Sequence, residues 1–68
     1  MDADKRRLVR QLFAIATMIA SEAEEIAIAG QSPSLSTRDS RAKADNILRR
    51  SEELADVART VKAISNLR

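Results

Sequence analysis

Four carboxylates are the first residues in this chain that could do chemistry. Glu22, Glu24 and Glu25 lie within one helical turn, and Asp45 would come near them if the chain doubled back between the two segments. Clustered acids of this kind can hold a divalent cation or trade protons. Inward-facing carboxylate metal sites in helical bundles, however, pair Glu with His three residues on, and this sequence contains neither histidine nor cysteine. Zinc sites, disulfides and thiolate catalysis are excluded on the same ground. Ser40, Ser51 and Ser65 supply hydroxyls, but no base and oxyanion donors accompany them, so the serines read as small helix residues that bond back to the preceding turn. The expectation is a protein that is not an enzyme and has no cofactor and no metal.

The cations are more suggestive. Lys5, Arg6, Arg7 and Arg10 gather near one end of the chain, and Arg59, Lys62 and Arg68 near the other, so a doubled-back chain would collect all seven at one end. Such a patch could hold nucleic-acid phosphates or an acidic protein surface. No aromatic side chain interleaves with it, so base stacking is not indicated, and a formal net charge of +2 adds little support. A solvated basic helix end is the plainer reading. Nucleic acid is therefore the secondary candidate partner.

The elements that would position these groups are helices. Leu8, Leu12, Ile15, Ile19 and Ile26 recur at steps of four and three, interrupted only by Glu22. Beside them runs a second stripe of Val9, Phe13, Ala16, Ala20, Ala23 and Ala27, which widens the apolar arc to roughly 160° at about 100° per residue. Farther on, Ala44, Ile47, Ser51, Leu54, Ala58 and Val61 repeat the rhythm, flanked by Leu48 and Ala55 on one side and Val57 and Ile64 on the other. Lys43 and Arg50 intrude on that arc, and Met18 and Ile28 fall outside the first one.

Between the two periodic segments, GQSPSLST holds the only glycine and the only proline. This punctuation predicts one loop over residues 30–36. A helix is expected over 3–29, capped by Asp2 and ended by a left-handed Gly30, and another over 37–67, capped by Ser36 or Thr37. Folding at the loop would bring Glu22, Glu24 and Glu25 level with Arg38, Arg41, Lys43 and Arg49, and Arg10 near Glu53 and Asp56. Leu35 could fold back onto the end of the pair.

Residues 1–68 thus read as one all-α domain, an antiparallel two-helix hairpin. A chain this short, with a single aromatic residue, buries little by itself. Both apolar arcs are wider than one facing helix can cover, so two hairpins are expected to pair into a four-helix bundle. The core and dimer interface would be built from Leu8, Leu12, Phe13, Ile15, Ala16, Ile19, Ala20, Ala23 and Ile26 on the first helix. The second would contribute Ile47, Leu48, Leu54, Val57, Ala58, Val61 and Ile64. Lys5 to Arg7 followed by Leu12 to Ala20 has the outline of a signal peptide, but Asp2 and Asp4 interrupt the basic region and the heptad runs straight through it. The apolar run is also shorter than the roughly 20 residues that span a bilayer. The expected role is that of a cytoplasmic homodimer acting by protein contact as a regulator, adaptor or inhibitor, with a separate partner protein as a further candidate.

Overall fold

The computed structural model describes residues 2–67, which form two helices packed side by side. Helix α1 spans Ala3–Ala29 and helix α2 spans Thr37–Ser65. No helix among the described residues is long and apolar enough to cross a membrane.

The helix ends follow from local chemistry. At the start of α1 the Asp2 carboxylate accepts from the Lys5 backbone N–H at 2.8 Å. That bond, followed in smaller measure by the Lys5 charge and the Asp4 backbone N–H, holds the carboxyl below its ordinary pKa. Ser36, not Thr37, caps α2, its hydroxyl accepting from the Asp39 N–H at 3.0 Å. The far end of α2 stops at Ser65, two residues short of the expected boundary. Asn66 caps it through its N–H to the Lys62 carbonyl, and the Leu67 N–H turns back to Ile64. Lys5 Nζ then donates to the Leu67 carbonyl at 3.3 Å, tying the two chain ends together.

The turn departs from the expected geometry at Gly30, whose φ of −69° and ψ of −10° are right-handed. The chain leaves α1 through successive tight turns, Gln31 N–H to Ile28 and Ser32 N–H to Ala29, so no left-handed residue is needed. A Cβ built on Gly30 meets nothing closer than the Ala27 carbonyl oxygen at 3.4 Å. Gly30→Ala should therefore stabilise the fold by about 0.4–1 kcal/mol by reducing the freedom of the unfolded chain, read as a raised thermal midpoint. A lowered midpoint would show that the turn needs glycine.

Burial fixes which stripes face each other. On α1 the partly or fully buried positions are Lys5, Val9, Leu12, Ala16, Ile19, Ala23 and Ile26, an unbroken four-three series. On α2 the matching series is Lys43, Ile47, Arg50, Leu54, Val57, Val61 and Ile64. The expected seams were rotated from these. Leu8 and Ile15 lie outside the first, and Ala44, Ser51 and Ala58 outside the second, all of them exposed. The contacts of Lys5 with Leu67, Glu22 with Arg50, and Gly30 with Lys43 set the register, which places Ile19 level with Leu54 and Ala23 level with Arg50. Long stems thus stand opposite the smallest residues.

Candidate functional site: the two faces of the hairpin

Two parallel rods make a slab, and the Cα atoms extend 52 × 14 × 9 Å. Its two broad sides differ in chemistry. In an antiparallel pair, the positions one step beyond the seam on a given side of each helix meet on the same side of the slab. One side therefore carries Phe13, Ala20 and Ala27 of α1 with Ala44, Leu48, Ser51, Ala55 and Ala58 of α2. Ala27 and Ala44 do share one shallow depression at the turn end, with Ile26, Ile47 and Leu35 around it. Leu35, half-buried there, folds over the end of the pair as expected. We call this the alanine face.

The opposite side carries Leu8, Ile15 and Leu67 toward the open end, Met18 near the middle, and polar residues toward the turn. Glu22 and Glu53 meet on it across the seam, each touching Arg50. Arg50 Nη1 donates to both Glu53 oxygens at 2.8 and 3.0 Å, while Nε lies 3.2 Å from Glu22 Oε2. The Nε contact is off the line of a hydrogen bond, which leaves that shielded N–H held by charge alone. The carboxylates are 51% and 40% exposed, so their attraction for Arg50 is damped by water.

The charges divide between the faces. The alanine face and its edges hold Arg6, Arg10, Arg41 and Lys62 against Glu24 alone. The other holds Asp4, Glu22, Glu25, Asp39, Glu53 and Asp56 against Arg49, with Arg50 reaching it from the seam. We call it the acidic face. Helical spacing makes this division, which composition conceals.

Several expected groupings rearrange. Of Glu22, Glu24 and Glu25, only Glu22 forms an ion pair across the hairpin, with Arg50 in place of Arg38, Arg41, Lys43 or Arg49. Arg10 pairs with neither Glu53 nor Asp56, because the register leaves it nearer the open end and on the other face; Arg50 takes the first acid and Arg59 the second at 2.9 Å. Among the described residues no three acids converge as a metal site would require. Ser40, Ser51 and Ser65 are exposed, and the hydroxyls that bond back to the preceding turn are those of Thr17, to Phe13 at 3.1 Å, and Thr60, to Asp56 at 2.9 Å. Arg6, Arg7, Arg10 and Lys62 do gather at the open end beside Lys5, whereas Arg59 is neutralised by Asp56 and Arg68 lies outside the described residues.

The expected interface residues fall into two sets. Leu12, Ala16, Ala23, Ile26, Ile47, Leu54, Val57, Val61 and Ile64 are half-buried between the helices, and Ile19 alone is buried, at 9% exposure. Leu8, Phe13, Ile15, Ala20, Leu48 and Ala58 face water, as do Met18 and Ile28. Seam reasoning missed Lys5, Val9, Lys43 and Arg50. The clue was the unbroken series running through Val9 and Ala16, where the chosen one was broken at Glu22. A second shallow depression lies on the outer flank of α2, lined by Leu48, Ser51, Glu52, Ala55, Asp56 and Arg59. Coming from one helix alone, it lacks the enclosure of a small-molecule site.

No family model matches the chain, and no curated protein or solved structure shows significant similarity to it.

Proposed function

We propose that this protein is a homodimeric helical module that works by protein contact, as a regulator, adaptor or inhibitor, and not as an enzyme. One observation carries the reading: Ile19 is the only buried side chain among the described residues, while Phe13, Leu48, Met18 and Ile28 are each more than half exposed. A folded monomer seldom leaves so much apolar surface uncovered on both sides of so little core. Pairing of two hairpins into a four-helix bundle would cover one of these sides. A cytoplasmic setting suits a chain that has no cysteine to oxidise.

The basic end supports a second reading, a small nucleic-acid-binding dimer. Arg6, Arg10 and Lys62 stand on one side of the slab and form no ion pair among the described residues. Light scattering in the presence and absence of generic RNA and duplex DNA, at low and physiological salt, separates the two. The protein-contact reading predicts a mass of two chains unchanged by either polymer at physiological salt. Salt-sensitive binding that disappears when Arg6, Arg7 and Arg10 are changed to Glu would establish the second reading instead.

A further inference from the structure

We propose that the alanine face is the surface on which a second copy of this chain docks, with the two hairpins antiparallel, the open end of each over the turn half of the other. The inference rests on the self-association reading and adds to it a face and an orientation.

Two features select the face. Beyond the seam, both helices carry small or apolar residues at every seventh position here, Phe13, Ala20 and Ala27 on α1 and Ala44, Ser51 and Ala58 on α2; Leu48 and Ala55 fill the intervening steps on α2, where α1 has Thr17 and Glu24. Side chains this small let helices approach closely across a broad front. On the acidic face only α1 offers an apolar row, and α2 presents Asn46, Glu53 and Thr60. The acids there are spread along the whole length, so a copy docked on that face would set acid against acid in either orientation, which is unfavourable, whereas the cations of the alanine face are concentrated at one end.

Charge selects the orientation. Arg6, Arg10 and Lys62 all lie at the open end of the alanine face, whereas its turn half holds Glu24 and Arg41, which cancel. Parallel docking would lay three cations on three cations. Antiparallel docking lays them over the neutral half, within reach of Glu24 of the other copy. It also brings Phe13 of α1 level with Leu48 of α2 in the other copy, diagonally across the interface. A two-fold axis makes that contact twice, as an isologous dimer requires. Docked in this way, the basic end is occupied by the dimer.

The absence of native cysteine makes cross-linking a direct test. Ser65→Cys and Ala44→Cys mark opposite ends of the alanine face, and Gln11→Cys and Glu25→Cys mark the acidic face. A short bifunctional maleimide should join Ser65→Cys to Ala44→Cys in a mixture, and join neither to itself. Ser51→Glu, an exposed position at the centre of the face, should weaken association at least about 100-fold, with Gln11→Glu leaving it unchanged. Self-linking of Ser65→Cys would overturn the orientation. A two-chain mass with links only through Gln11→Cys and Glu25→Cys would overturn the face while leaving self-association intact. Links between the two faces, with mass climbing past two chains, would replace the closed dimer by open stacking. A helical single chain with no links would remove the self-association reading as well.

Discussion

Ile19→Asp is expected to abolish the fold, leaving a chain without helical circular dichroism at micromolar concentration. Ile19 is the most enclosed residue of the hairpin, level with Leu54 midway along the pair. An aspartate there loses the apolar contacts of the isoleucine and places a carboxylate where no cation is level with it. The cost is about 3–5 kcal/mol, combining the loss of a large buried side chain with burial of an unpaired charge. Stability for a chain of this size lies toward the low end of about 5–15 kcal/mol, so little would remain. Leu54→Asp, across the same layer, should have the same outcome. A substantially helical Ile19→Asp variant would mean that the helices do not depend on the seam.

Arg50 is expected to behave in opposite ways according to its replacement. Arg50→Ala should destabilise by about 1–2 kcal/mol, because it leaves Glu22 and Glu53 facing each other without a cation and removes the stem that stands opposite Ala23. Arg50→Met restores the stem without the charge. It should lie within about 1 kcal/mol of the natural protein, since half-exposed ion pairs contribute little and an apolar residue suits a seam. Urea denaturation of the two variants checks the pair. Equal losses would show that the ion pairs, and not the stem, hold Arg50 in place.

Arg50 also shows where the sequence is hard to read. The helix bounds and the loop are legible because periodicity and punctuation agree: α1 starts at its Asp2 cap, and Gly30 and Pro33 mark the turn. The seam is harder, since an arc of roughly 160° accommodates two neighbouring heptad frames. Leu8, Leu12 and Ile15 look like the better frame by side-chain size. Val9, Leu12 and Ala16 form the true one, since the series through them reaches Ile26 without meeting Glu22. On α2 the frame passes through Lys43 and Arg50, which hydrophobicity alone rejects. Their stems fit because Gly30 and Ala23 stand opposite, a complementarity visible only once the register is known.

The division of charge between the faces is hidden for the same reason. A net charge of +2 averages a basic side and an acidic side, and only the correct frame separates them. The basic cluster at the open end is legible in advance, because it depends on which residues are near the chain ends and not on helix rotation. The pairing of Arg59 with Asp56 is local, three residues apart on one helix, and reduces that cluster.

The concentration dependence of the thermal midpoint tests the central claim most directly. If the exposed apolar rows are covered by another copy, folding and association are one process, and the midpoint followed by circular dichroism should rise steadily as protein concentration increases from the micromolar to the millimolar range. A midpoint that stays fixed across that range, for a chain sedimenting as a 7.5 kDa monomer, would contradict the account.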